Sequence, residues 1–204
     1  MQTRRLTFDD IDMASELLRQ GEAVVFPTDT VYGVAVNAFD AAAIGRLYRL
    51  KERPQEKGIP ILLSDRDQLQ KVAVGTFSAR LQQLLDQFWP GSLTLILQKQ
   101  PNLPSNISSN DGIAVRVPNH PLTQQLIARA GGALAVSSAN LSGEPAADSA
   151  EIAHQTLNGR VSAIIDGGKL PTSRPSTIIA WRTETYTILR KGPLAADDLF
   201  KDLS

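Results

Sequence analysis

Apolar positions along the chain fall into short blocks that switch between two periods. In "DDIDMASELLRQG" (9–21), Ile11, Ala14, Leu17 and Leu18 share one helical face, and Gly21 supplies a stop. "EAVVFPT" and "VYGVAVNA" read as two strands around a short break. "DAAAIGRLYRLKER" (40–53) reads as a helix capped by Asp40 and closed by Pro54. "IPILLSD" is a strand, and "TFSARLQQLLDQFW" (76–89) a helix capped by Thr76. "SLTLILQK" and "GIAVRVP" are strands separated by 100–111, a Pro-, Asn- and Ser-rich stretch expected to be a mobile surface loop. "HPLTQQLIARAGG" is a helix, "ALAVS" a strand, and "DSAEIAHQTL" a helix begun by Asp148 or Ser149. "VSAIIDGG", "STIIAW" and "TYTILRKG" complete the pattern as strands. The alternation predicts an α/β fold, and the consecutive strands near both ends predict a mixed parallel and antiparallel twisted sheet flanked by helices. With 204 residues, no repeat and no linker, residues 1–204 are expected to form a single domain.

Polar residues interrupt the apolar blocks at four places. In "FPTDTVYG" (26–33), Pro27 and Gly33 fit a tight turn, while Thr28, Thr30 and Tyr32 could point hydroxyls into a cleft at strand ends. "RLYRLKERPQEKG" (46–58) carries Arg46, Arg49, Lys51, Arg53 and Lys57, offset by Glu52 and Glu56. That run is either a solvated helix face or, because it continues past Pro54, a set of cations converging on one anion. Arg116 interrupts the apolar strand of "IAVRVPNHP", so it either faces solvent or is paired in a pocket. "VSSANLSG" (136–143) is either a plain turn or a row of hydrogen-bond donors.

Composition narrows the chemistry. Lysine plus arginine equal aspartate plus glutamate at 21 each, so an anion site has to come from a local cluster and not from a global field. No cysteine is present, which removes thiolate nucleophiles and cysteine-ligated metals. His120 and His154 are the only histidines; H-E-x-x-H, G-x-S-x-G, G-x-G-x-x-G and the Walker pattern are all absent. "MQTRRLTFDDID" has no apolar signal core, and no run approaches the ~18 apolar residues of a spanning helix. The expectation is a cytoplasmic chain without membrane contact. What the sequence offers is cations, hydroxyls and amides, a set suited to gripping phosphates and orienting reactants.

Taken in order, "FPTDTVYG", "LKERP", "VRVPNHP" and "SSANLSG", with later "DGG", "PSTII" and "ILRKG", resemble the YrdC/TsaC family, the threonylcarbamoyl-AMP synthases. The resemblance implies a YrdC-like fold and an activity: ATP, L-threonine and bicarbonate yield threonylcarbamoyl-adenylate and pyrophosphate. The product would pass to a tRNA threonylcarbamoyl-transfer complex for N6-threonylcarbamoyladenosine modification. The family's K-x-R and S-x-N pairs fall on Lys51, Arg53, Ser138 and Asn140, which the resemblance makes catalytic. It assigns ATP to Lys51, Arg53, Lys57, Ser138, Asn140 and Arg190, and threonine to Thr30, Tyr32, Arg116 and Ser176. Mg²⁺ would arrive on the ATP phosphates, with no protein-held metal. The family often has Glu where Asp29 stands, and "QEKGIPI" carries an extra residue relative to the family's K-P-L pattern. The chain resembles the family's short form, without a further C-terminal domain. Related readings are an RNA-binding module of the same fold, with weak RNA contact, and carbamoyl transfer.

Overall fold

A computed structural model describes residues 2–75, 77–171, 173–182, 185–195 and 198–199. One ten-stranded sheet organises the chain, in the order β1-β8-β2-β3-β7-β4-β6-β5-β9-β10. Its strands are β1 (Arg4–Leu6), β2 (Val24–Phe26), β3 (Gly33–Asn37), β4 (Ile61–Leu63), β5 (Leu93–Gln98), β6 (Gly112–Arg116), β7 (Ala133–Ser138), β8 (Ala163–Ile165), β9 (Thr177–Arg182) and β10 (Thr185–Arg190). The sheet is mixed, as the alternation predicts. β8 runs parallel to both β1 and β2, β4 to β6, and β5 to β9, whereas β2–β3 and β9–β10 are antiparallel. β1 has too little periodicity to be read from sequence; it is fixed by its parallel register on β8.

The helices are α1 (Ile11–Arg19), α2 (Ala41–Lys51), α3 (Ala79–Phe88), α4 (Pro121–Arg129) and α5 (Ala150–Leu157). Side-chain caps set most of their starts. Asp40 accepts from Ala42 N and Ala43 N, Ser78 from Leu81 N, and Ser149 from Ile152 N. Ser78 therefore starts α3, and Thr76, the cap expected there, lies outside the described residues. His120 caps α4 through Nδ1, which accepts from Thr123 N. Among the described residues no helix is long and apolar enough to cross a membrane.

Strand alternation divides the apolar residues between two faces. Val25, Val34, Val36, Ile61, Leu95, Val115 and Ile179 pack on one face with Ile44 and Leu47 of α2, Leu84 of α3 and Leu157 of α5. Val24, Phe26, Ala35, Leu62, Leu134 and Val136 pack on the other with Leu18 of α1 and Leu126 of α4. The first cluster runs across almost the whole sheet. The second stops at β4, and β6, β5 and β9 contribute nothing to it. That second face, left without helices over β6–β5–β9–β10, presents half-buried Ala114, Ile96, Ile178 and Ala180. The site lies where the helix cover ends.

The stretch 100–111 lies at the surface, as expected, and is anchored there at several points. Leu103 and Ile107 are buried, Ile59 N donates to Ile107 O at 2.9 Å, and Asn106 Nδ2 reaches Ala41 O of α2 at 2.9 Å. Its polar composition conceals two apolar anchors. Past β10 the chain turns back onto the start of β9. Gly192 N donates to Thr177 Oγ1 at 3.0 Å, and a Cβ on Gly192 would stand 2.2 Å from Thr177 N and 2.5 Å from Ser176 C. Those neighbours are backbone and cannot yield cheaply. Gly192→Ala is expected to lower stability by about 1–3 kcal/mol in urea denaturation, the cost of overpacking; an unchanged midpoint would refute this close approach.

Candidate active site

The turn between β2 and β3 is wired through one hydroxyl. Thr28 Oγ1 accepts from Thr30 N at 3.1 Å and Val31 N at 3.2 Å, and donates to Val31 O at 2.7 Å. Its single proton is thereby committed, so in the 3.1 Å contact between Thr28 Oγ1 and Thr30 Oγ1 the donor is Thr30. Thr30 Oγ1 in turn accepts from Arg116 Nη1 at 2.8 Å. Arg116 ends β6, is 5% exposed, and donates from Nε to Gly91 O at 2.7 Å and from Nη2 to Asp29 Oδ1. Burial pushes its guanidinium below the ordinary arginine range, and the charge of Asp29 opposes that shift. An arginine inside an apolar strand is here a paired pocket residue.

Across the sheet, Thr94 Oγ1 and Ser176 Oγ lie 2.7 Å apart. Arg190 donates from Nε to Ser176 O at 2.9 Å and from Nη2 to Ser176 Oγ at 3.0 Å. A bulge aims this arginine. Ile188 pairs with Ile179, but Arg190 pairs with Ile178, so the register slips between them and Arg190 joins Ile178 on the open face. Burial, then the charge of Arg116, lowers the Arg190 pKa; burial does the same to Arg53.

The end of α2 separates the two cations of "LKER". Glu52 takes a left-handed conformation, φ 52°, as the helix C-cap. On one side of this pivot Lys51, 1% exposed, donates from Nζ to Ser138 O and Asn140 O, each at 2.5 Å. On the other, Arg53 donates to Lys57 O and Gly58 O, each at 2.8 Å, and folds the 54–58 loop around itself. Burial, then repulsion from Arg53, brings the Lys51 ammonium down to about 8.

These elements enclose a cavity of about 160 Å³, lined by Thr30, Arg53, Thr94, Arg116, Ser138, Ser176 and Arg190 among others. Three arginines line it and no carboxylate does. It shares Arg53, Pro60, Ile178 and Arg190 with a groove of about 550 Å³ that runs over the open face past Ile96, Ala180 and Tyr186. The small chamber is below the ~300–1,000 Å³ typical of sites for drug-sized molecules, whereas the groove falls within it.

The structure thus gathers six of the expected site residues: Thr30, Arg53, Arg116, Ser138, Ser176 and Arg190. Four others it places elsewhere. Lys51 and Asn140 line neither space. They stand behind the "SSANLSG" loop, where Asn140 Nδ2 donates to Leu141 O and Glu144 O, each at 2.7 Å. Tyr32 is fully buried; its hydroxyl donates to Gly168 O at 2.6 Å and accepts from Gly167 N at 3.1 Å, tying the "DGG" loop to the β2–β3 turn. Burial raises its pKa. Lys57 is exposed and lines neither space; its carbonyl accepts from Arg53 Nε at 2.8 Å and from the Tyr48 hydroxyl at 3.4 Å. Sequence reasoning missed Thr94 and Asp29. A threonine in "SLTLILQK" and an acid two residues before Val31 were the signals available.

A family model described as "Telomere recombination", Sua5_yciO_yrdC, matches residues 16–192. The chain belongs to the Sua5/YciO/YrdC family. The threonylcarbamoyl-AMP synthase of Bacillus subtilis is 36% identical over 191 residues, covering 93% of this chain and 55% of the relative. That of Vibrio vulnificus is 32% identical over 185 residues, covering 90% of this chain and 98% of the relative. Among solved structures, Pyrococcus abyssi Sua5 complexed with L-threonine superposes with a TM-score of 0.92 at 32% identity, over 98% of this chain and 60% of that one. Escherichia coli YciO gives 0.85 at 25%, over 97% and 98%. The chain therefore spans just over half the length of the Bacillus relative and nearly all of the Vibrio one.

The buried ammonium has a consequence for stability. Lys51→Met would strand the carbonyls of Ser138 and Asn140 without a donor, and should cost on the order of 3 kcal/mol in urea denaturation. Lys51 binds its proton less tightly folded (about 8) than unfolded (near 10.5). Between those values the unfolded chain holds the extra proton, so the wild type should gain stability as pH rises through that window, a slope Lys51→Met should lack.

Proposed function

We propose that the chain joins ATP, L-threonine and bicarbonate into threonylcarbamoyl-adenylate with release of pyrophosphate. One observation carries the reading. In a chain of zero net charge, three arginines converge without a lining carboxylate on a chamber of amino-acid scale that opens into a groove of nucleotide scale. The Bacillus and Vibrio relatives bear the synthase name, and the Pyrococcus Sua5 was solved with L-threonine.

The chemistry asks for positioning more than for a nucleophilic side chain. The threonine amine adds to bicarbonate, water leaves, and a carbamate results. A carbamate oxygen attacks the α-phosphorus, and the bond to the bridging oxygen breaks to expel pyrophosphate. In this reading Arg116 takes the threonine carboxylate, while Thr30 Oγ1 and the Thr94–Ser176 hydroxyl pair bond the polar atoms of threonine. Arg53 and Arg190, shared by chamber and groove, meet the phosphates and offset charge as pyrophosphate departs. The nucleoside lies along the open face over Ile96, Ile178 and Ala180. Mg²⁺ enters as the counter-ion of ATP; among the described residues no group of three or more His, Cys, Asp or Glu is placed to hold a metal. Lys51 and Asn140 act by holding the loop that presents Ser138. The product then serves tRNA threonylcarbamoylation.

Pyrophosphate release from ATP tests the reading: it should require both threonine and bicarbonate, and a rate unchanged by omitting threonine would reject it. Arg53→Ala and Arg190→Ala should each lower kcat about 10²–10³-fold while the fold persists; wild-type turnover would remove the phosphate role. Because Lys51 loses its proton near pH 8, kcat/KM should fall above that pH, and Lys51→Arg should move the limb upward.

A further inference from the structure

Arg116 already has a carboxylate partner, Asp29, which stands behind the chamber's lining. Its Nη2 meets Asp29 Oδ1, while Nη1 and Nε are engaged by Thr30 Oγ1 and Gly91 O. The other two arginines of the chamber differ: Arg190 is exposed and Arg53 half-buried, so water and salt can screen them. Arg116, 5% exposed, has no such relief, and a buried guanidinium without a counter-charge is strongly destabilising. Asp29 supplies that charge from the β2–β3 turn, with its side chain 17% exposed and therefore with a route to water.

We propose that Asp29 is a resident counter-ion that competes with the substrate carboxylate for Arg116, and so sets the affinity of the chamber for its amino acid. This rests on reading the chamber as an amino-acid site. A guanidinium offers five N–H groups, and three of Arg116's are engaged. An arriving carboxylate can share the guanidinium with Asp29, which brings two like charges together in a buried place. It can instead displace Asp29 toward water, which breaks an existing pair. Either way the resident charge opposes the incoming one. The empty site gains integrity, and substrate affinity is held below what a bare Arg116 would give. Asp29 is a positioning residue in this account, acting through Arg116.

The test uses the full chain as wild type, Asp29→Asn and Asp29→Glu, with L-threonine and acetate as probes, read by calorimetry and thermal melting. Asp29→Asn should melt lower when empty, bind threonine about tenfold more tightly, and show a larger threonine-induced rise in Tm. Asp29→Glu keeps the charge and should bind threonine like the wild type. Equal or weaker threonine binding by Asp29→Asn overturns the inference; a loss for threonine but not acetate would mean that Asp29 holds the amine instead. If neither chain binds threonine but Asp29→Asn takes acetate more tightly than the wild type, the competition stands and the threonine reading falls. If neither binds any carboxylate, both fall. Should Asp29→Asn not fold, the ¹³C signal of the wild-type Asp29 carboxyl decides: it should shift on saturation with threonine, and an unmoved signal refutes competition.

Discussion

A single buried ammonium organises this site. Lys51 reaches from the end of α2 to the carbonyls of Ser138 and Asn140, and its own carbonyl accepts from Ser142 N at 2.9 Å. The loop after β7 is thereby held at both its start and its middle by one residue. A buried charge is tolerable only when its donors are used, and here two strong acceptors meet it. The placement depends on Glu52, whose left-handed backbone lets the two cations on either side of it serve different ends. Lys51 goes inward to the loop and Arg53 outward to the cavity. The K-x-R and S-x-N pairs are mechanically one unit: the lysine fixes the serine's loop, and the arginine faces the space that this serine lines.

The cavity itself follows from unequal cover of the sheet. Helices α1 and α4 bury one face as far as β4, and beyond it the strands carry small or half-buried residues. At that border a deep end forms, walled by the β2–β3 turn, the loop after β7 and the start of β9. Positive charge collects there because the fold supplies a backbone carbonyl to hold each cation in place: Gly91 O for buried Arg116, Gly58 O for half-buried Arg53, Ser176 O for exposed Arg190. Carbonyls orient a guanidinium without neutralising it. Arg116 has Asp29 as counter-ion, but Arg53 and Arg190 are held by carbonyls, so at those two the site is positioned and positively charged together, the condition under which fixed charges stabilise a reacting anion with little reorganisation.

Much of this was legible in the sequence. The order of helices and strands, the mixed sheet and the caps of Asp40 and Ser149 follow from periodicity and capping chemistry. Motif resemblance located six cavity residues. What stayed hidden was the direction of side chains around breaks in regular structure. Tyr32 shares parity with Val34 and Val36 and packs with them, a reading open to strand alternation but masked by the interest of a hydroxyl. Arg190 reaches the open face only through a bulge, which its local pattern does not announce. Lys51 and Arg53 part company through a positive φ at a glutamate, where sequence gives no glycine to mark it. The pairing of Asp29 with Arg116 spans 87 positions and needs the register of the whole sheet to appear.

The polarity of the cavity's hydroxyls is settled unevenly, and this bears on what it can distinguish. On one wall Thr28 donates to Val31 O, so Thr30 donates to Thr28 and accepts from Arg116. Thr30 has spent its proton and can offer a ligand only a lone pair. On the opposite wall Thr94 and Ser176 exchange one hydrogen bond in which either is the donor, while Arg190 donates to Ser176. If Thr94 donates, Ser176 keeps a proton for a ligand; if Ser176 donates, Thr94 keeps one. Either arrangement leaves a donor on that wall, facing the acceptor at Thr30. A ligand hydroxyl, both donor and acceptor, can use such a pair of walls, whereas a methyl group of similar size leaves polar atoms unpaired on each side. Hydroxyl selection can therefore arise from proton bookkeeping alone, without a charged group devoted to it.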